Sequence, residues 1–252
     1  MDLNKLKPDI RYLNDMKDVV YDKQWLKTAP NLELYYMYRD LAETETDFMQ
    51  IIKNDLRYDI TILKPNKLGK EFNKTFGHDH PIVPGTDITY PELYEVLEGR
   101  AIFLLQDSHN DAIKDIVAIK AKKGDKIIVP PNYEHLTINI GKTDLKTANW
   151  LSRKFESNIY KPFKMKHGFS YYVLKTFLGM KFIKNNNYEL IPEIKFEKPN
   201  KFYNFNLSTQ EPIYKLLNQP NKLDFLKNPQ KYSWELKWRN PPEAGKLADL
   251  PR

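Results

Sequence analysis

An all-β domain, either a sandwich or a barrel, is the fold class the chain predicts over its middle part. Three observations predict it. Short runs rich in Ile, Val, Leu, Tyr and Thr recur; Gly, Pro, Asn and Asp separate them; and the runs return every ~8 to 12 residues, too closely for crossover helices and a parallel sheet.

The runs follow in order: YDITIL from Tyr58, AIFLLQ from Ala101, DIVAIKA from Asp115, KIIVP from Lys126, LTINI from Leu136 and SYYVL from Ser170. They define a domain expected over residues 51–185. Ahead of it, residues 1–50 form an N-terminal segment expected to pack on the β domain, with MKDVVYDKQWLK amphipathic and ELYYMYRDLA open between strand and short helix. Beyond it, residues 186–252 are rich in Asn, Lys and Pro but keep their aromatics, which predicts a C-terminal extension packed in places. There EPIYKLLN and KLDFLKN each predict a short helix bounded by proline. No internal repeat is visible.

The 252 residues suffice for one domain with extensions. A net charge of +7, from 40 Lys and Arg against 33 Asp and Glu, is spread along the chain; its densest group, KAKK at Lys120, is short, so nucleic acid is not an expected partner. A mildly positive field suits a phosphorylated small molecule instead. No apolar run approaches the ~20 residues that span a bilayer, and MDLNKLKPDI lacks the apolar core of a secretory signal, so the expectation is a cytoplasmic protein without membrane contact. The absence of cysteine excludes disulfides, thiolate nucleophiles and Cys-ligated metals.

Chemistry concentrates in TFGHDHPIVPGTDITYPELYEVLEG, from Thr75. On a strand, His78 and His80 share one face with Asp79 on the other. Such a pair alone is more often ordinary surface. Glu92 follows across a loop, and downstream His135 heads a strand on which Thr137 and Asn139 share its face. Three imidazoles and a carboxylate, with positions left for water or substrate, suit a first-row divalent metal such as iron, manganese, nickel or zinc.

Gly124, Pro130, Asn132, His135 and Asn139 follow the spacing of the second cupin motif, with Asn132 at its second glycine. His78, His80, Glu92 and Gly99 follow the first motif, with a longer interval before Glu92 and Phe72 at the opening glycine. The wider sequence resembles the cupin-type glucose-6-phosphate isomerases of archaea and some bacteria, through YDITILKPNKLGKEFNKTFGHDHP, YPELYEVLEGRAIFLLQ, VPPNYEHLTINIG and ANWLSRKFESNIY, and, in the N-terminal segment, DMKDVVYDKQWL and LYYMYRDLA.

The resemblance implies a cupin fold, a double-stranded β-helix or jelly-roll barrel, and a homodimer interconverting glucose 6-phosphate and fructose 6-phosphate. It implies one divalent metal ion per subunit, iron first and manganese, nickel or zinc as alternatives, on His78, His80, Glu92 and His135. Sugar-phosphate contacts fall on Thr61, Thr75, Gly77, Tyr94 and Tyr160. Glu92 is the candidate base with Tyr94 beside it, and a hydride shift is the alternative route. Asn158 stands where some relatives carry histidine and receives no acid-base role. The same shell also suits an oxygen-activating dioxygenase, another sugar-phosphate isomerase, or a sugar-binding cupin without turnover. Glu95 and Glu98 are expected in solvent, Glu134 is expected to point away from the metal, His109 falls in the polar turn DSHND, and His167 lies in MKHGFS. The loop Pro81 to Pro91 has no role readable from its residues.

Overall fold

The structure is a computed structural model that describes residues 2–109, 112–155, 158–199, 205, 207, 208 and 210–232. The N-terminal segment supplies β1 (Asp9–Tyr12), the short helices α1 (Leu13–Met16) and α2 (Lys23–Leu26), and β2 (Glu33–Tyr38), which makes ELYYMY a strand. Helix α3 (Glu45–Lys53) starts on Thr44, whose side chain accepts the Asp47 N–H, and it buries Ile51. It leads into β3 (Leu56–Leu63) and the two-residue strands β4 (Lys67–Leu68) and β5 (Glu71–Phe72).

The next six strands are divided between two sheets. These are β6 (Glu92–Glu98), β7 (Arg100–His109), β8 (Ala112–Lys122), β9 (Lys126–Val129), β10 (Glu134–Asn139) and β11 (Leu145–Ser152). Strands β6, β9 and β11 join a six-stranded sheet in the order β1-β2-β3-β11-β6-β9. Strands β7, β8 and β10 form a second sheet in the order β10-β7-β8-β14, where β14 is Lys195–Glu197. Repeated crossing between facing antiparallel sheets is the jelly roll expected of a cupin. The two sheets close on side chains, and among the described residues no continuous hydrogen-bonded cylinder forms.

After the short helix α4 (Lys161–Met165), strands β12 (Tyr171–Thr176) and β13 (Gly179–Lys184) form a hairpin that joins β5 and β4 in a third sheet. The main core lies between the sheets and includes Phe103, Leu105, Ile127 and Leu136. A second cluster lies on the outer face of the large sheet, where Leu93, Ile128 and Trp150 meet Ile213, Leu217, Leu223, Phe225 and Leu226 of the C-terminal extension. Hydrogen bonds fix this cover: Trp150 Nε1 donates to the Ile213 carbonyl at 2.8 Å, and the Ile213 N–H donates to Glu95 Oε2 at 2.7 Å.

Two expectations change. Glu95 is buried, because the extension lies over the face that would otherwise put it in water. The expected helices of the extension are 3-10 turns, Ile213–Asn218 and Pro220–Leu226, the second opened by its proline. Glu98 is exposed as expected. The expected extension reaches Arg252, and residues 233–252 lie outside the described residues. Among the described residues no helix is long and apolar enough to cross a membrane.

Candidate metal centre and substrate cavity

His78 and His80 come from the segment after β5, which runs against β10: the His78 N–H donates to the His135 carbonyl and the His135 N–H to the His78 carbonyl, both at 3.1 Å. That pairing places His135 opposite the two-histidine segment. Glu92 opens β6 in the facing sheet. One nitrogen from each of His78, His80 and His135 and one Glu92 oxygen all lie within 4.8 Å of one another.

These atoms converge as acceptors. His80 Nδ1 lies 2.6 Å from the Tyr90 carbonyl, which can only accept, so the ring proton sits on Nδ1 and Nε2 carries a lone pair. His80 Nε2 is 3.2 Å from His78 Nε2 and 3.2 Å from Glu92 Oε2, which also lies 3.2 Å from His135 Nε2. Glu92 Oε2 is buried without a hydrogen-bond donor. Its other oxygen, Oε1, accepts from Asn149 Nδ2 at 2.6 Å.

Burial, then His135 and His80, holds His78 well below the ordinary imidazole range. Burial also lowers His135, only partly offset by Glu92. For Glu92 burial acts upward, but the adjoining His135 and His80 rings outweigh it and keep the carboxyl well below its usual range. An ionised carboxylate beside His78 and His135, whose charged forms burial disfavours, suits a divalent cation. The donor set therefore fits such an ion.

A cavity opens beside this cluster, floored by one face of the large sheet. Strand register sets that face: Thr61 pairs with Met37 and Thr147, Asp59 with Asn149, and Asn149 with Tyr94. Thr61, Thr75, His78, Glu92, Tyr94, Asn158 and Tyr160 line the cavity. His80 and His135 stand buried behind them. The Tyr94 hydroxyl lies 3.1 Å from His135 Nε2. Asn158 Nδ2 donates to the Tyr160 hydroxyl at 3.0 Å.

Gly77 is not among the residues lining the cavity. Its φ of +84° puts the position a Cβ would occupy 3.5 Å from Leu136 and Phe169, toward the core, so glycine serves the backbone turn there. Glu134 turns away from the cluster as expected, and accepts from Gln106 Nε2 at 2.5 Å and Ser108 Oγ at 2.6 Å. His109 ends β7 and its side chain lies outside the described residues, while His167 has a φ of +57° at a turn and does not join the cluster.

Sequence reading missed four polar residues at the cavity: Arg39, Arg57, Asp59 and Asn149. Alternation along β3, with Arg57, Asp59 and Thr61 on one face, was the available signal. Arg57 binds Asp59 through Nε at 3.1 Å to both oxygens and through a terminal nitrogen at 2.8 Å.

A sequence model described as glucose-6-phosphate isomerase (GPI) matches residues 10–190. The chain is 32% identical over 135 residues to a glucose-6-phosphate isomerase of Pyrococcus furiosus, covering 54% of this chain and 65% of that one. It is 31% identical over 142 residues to the enzyme of the same description from Thermococcus litoralis, covering 55% and 66%. The matched stretch thus spans just under two thirds of each relative. Among solved structures, an oxalate oxidase in complex with the substrate analogue glycolate is similar at 16% identity and a TM-score of 0.38, over 55% of this chain and 59% of that one.

Proposed function

The chain belongs to the glucose-6-phosphate isomerase family, and from that premise we propose that it interconverts glucose 6-phosphate and fructose 6-phosphate with a divalent metal held by His78, His80, Glu92 and His135. The observation that carries this reading is the convergence of four buried or half-buried acceptor atoms beside a polar cavity within the family-matched region. When bound, a divalent ion supplies Lewis-acid stabilisation of the negative charge that develops on the sugar oxygens. Iron is our first assignment, with manganese, nickel or zinc as the other members of the series this donor set suits.

The isomerisation moves hydrogen between C1 and C2 of the open-chain sugar. A base must take a carbon-bound proton from one carbon and return it to the other. We assign that role to Glu92, whose carboxylate stays ionised and whose Oε1 is steadied by Asn149. Burial and the Glu92 charge push the Tyr94 phenol well above its ordinary range, so it remains protonated and donates to a sugar oxygen. Thr61, Thr75, the Gly77 N–H and Tyr160 are assigned to the sugar phosphate. Gly77 contributes through its backbone alone.

A coupled assay with fructose 6-phosphate, with and without chelator, tests the proposal. Activity lost on chelation and restored by a divalent ion is expected; activity surviving full metal removal, or none with any divalent ion, overturns it. Oxygen consumption would indicate the dioxygenase alternative instead. His135→Ala is expected to lower metal content and rate together, and a fall in only one of them rejects the ligand assignment. Deuterium entering C2 during turnover in deuterated water is expected for Glu92 as base, whereas its complete absence favours a hydride shift.

We also propose a homodimer. Phe177 and Leu178 stand fully exposed at the tip of the β12–β13 hairpin, and β13 is an edge strand. Light scattering is expected to give twice the 29.9 kDa chain mass.

A further inference from the structure

The phosphate contacts assigned above are hydroxyls and an amide, none of which carries charge, whereas a sugar phosphate is dianionic near neutral pH. Two guanidinium groups line the cavity, and both face carboxylates. Arg57 grips Asp59, while Arg39 lies 3.3 Å from Asp9 and 3.7 Å from Asp59.

Arg11 differs. It lies on β1 opposite Tyr35 of β2. Its guanidinium carbon is 5.9 Å from the ring centre of Tyr35, 6.0 Å from that of Phe76 and 5.7 Å from that of Tyr160. All three rings line the cavity. Phe76 is the residue between Thr75 and Gly77, and its N–H donates to the Tyr35 hydroxyl at 3.3 Å. Arg11 Nε is buried and has no acceptor; Tyr35 engages the guanidinium elsewhere and Asp15 acts on it at longer range, but among the described residues no carboxylate forms an ion pair with Arg11.

We propose that Arg11 is the cation that recognises the phosphoryl group of the substrate at the Thr75–Tyr160 end of the cavity, an inference that rests on the isomerase reading. A buried donor without an acceptor is unfavourable, and a phosphate oxygen relieves it with a charge-assisted hydrogen bond. The three rings flank the planar fork and leave it only partly exposed, which strengthens the attraction for a dianion. Asn158 occupies the Tyr160 oxygen as acceptor, so the phenolic proton is free to point at the same phosphate. Arginine and tyrosine then meet one anion from neighbouring sides.

The test compares metal-loaded wild type with Arg11→Gln and Arg11→Met, the second chosen because methionine keeps an apolar stem among the rings. Calorimetry with inorganic phosphate reads the site without turnover. Each folded variant is expected to bind phosphate at least about tenfold more weakly, the effect of one charge-assisted bond of ~1.4 kcal/mol or more. The KM for fructose 6-phosphate is expected to rise by a similar factor, with kcat within about threefold. Preference for fructose 6-phosphate over unphosphorylated fructose is expected to fall in proportion. Unchanged phosphate affinity in either folded variant overturns the inference, as does equal loss on both sugars, which marks a structural role. If wild type shows no isomerase activity but binds phosphate through Arg11, the isomerase reading fails and the anion site stands.

Discussion

Asn149 shows how one side chain couples the sheet to the candidate metal centre. It sits mid-strand in β11 between Asp59 and Tyr94 and spends its amide on Glu92 Oε1, leaving Oε2 to face the histidines. The Tyr90 carbonyl does the same for His80 by fixing its ring proton. Such supporting contacts commonly tune metal affinity by about 10- to 100-fold. Asn149→Leu is therefore expected to lose metal in dialysis against chelator at concentrations the wild type withstands, while its thermal transition stays cooperative. Equal metal retention in the two proteins would contradict this coupling. The four candidate ligands were legible because their spacing matches a known motif, whereas Asn149 was not, since a lone asparagine carries no sign of what lies across the sheet.

At the scale of elements, the loop from Pro81 to Pro91 becomes intelligible through what it touches. Val83 and Tyr90 pack with Leu151 and Phe155, and Asn132 clamps the loop by exchanging hydrogen bonds with Thr89: Thr89 N–H to Asn132 Oδ1 at 2.9 Å, and Asn132 N–H to Thr89 Oγ1 at 2.7 Å. Asn132 itself has a φ of +66°, the left-handed conformation that the glycine of the cupin motif supplies and that asparagine tolerates. The departure at this position thus keeps the turn and adds a clamp. Asn132→Ala strains the left-handed turn and removes the Oδ1 half of the clamp, while its N–H still donates to Thr89, and is expected to cost about 2 to 3 kcal/mol in thermal unfolding. Asn132→Gly keeps the backbone freedom and the N–H bond to Thr89 but lacks the Oδ1 acceptor, so it should fall between the two; a glycine variant as stable as wild type would show that the Oδ1 contact is idle. Strand β11 was absent from the expected strands because Lys146, Thr147 and Asn149 break its apolar run, yet it pairs with β3 on one side and β6 on the other. One face carries Asn149 and Leu151 into the cavity and the other carries Ala148 and Trp150 beneath the extension.

At the scale of the whole molecule, the flanking segments are built onto the jelly roll through polar groups withdrawn from water. Lys74 and Glu71 form a buried pair at 2.5 Å; Lys74 Nζ also donates to the Val19 carbonyl at 2.8 Å, and Glu71 Oε2 accepts the Tyr21 N–H at 3.0 Å. The pair thereby fastens the N-terminal segment. Lys74→Met leaves Glu71 uncompensated and is expected to cost about 3 to 5 kcal/mol, much of it recovered in the double variant with Glu71→Gln. Chemical denaturation of the three proteins checks the recovery. On the opposite flank, burial raises the Glu95 carboxyl, with the Ile213 N–H and Lys126 pulling the other way. The folded chain therefore keeps that proton to higher pH than the unfolded chain does. The stability Glu95 contributes is fully present below the unfolded carboxyl range, about pH 4, and is lost as pH rises through the folded value. Glu95→Gln is expected to flatten this part of the stability profile, and an unchanged slope would show that the group titrates alike in both states.

The β class and the clustering of the four candidate ligands could be read from the chain, because side-chain alternation and motif spacing are local properties that a strand converts into a shared face; Thr61, Thr75, Tyr94 and Tyr160 came from the family resemblance. The Glu95 cover, the Asn149 link, the unanswered Arg11 and the core-facing side of Gly77 could not. Each depends on segments distant along the chain being pressed together, and burial and hydrogen-bond partnership arise only when those segments meet.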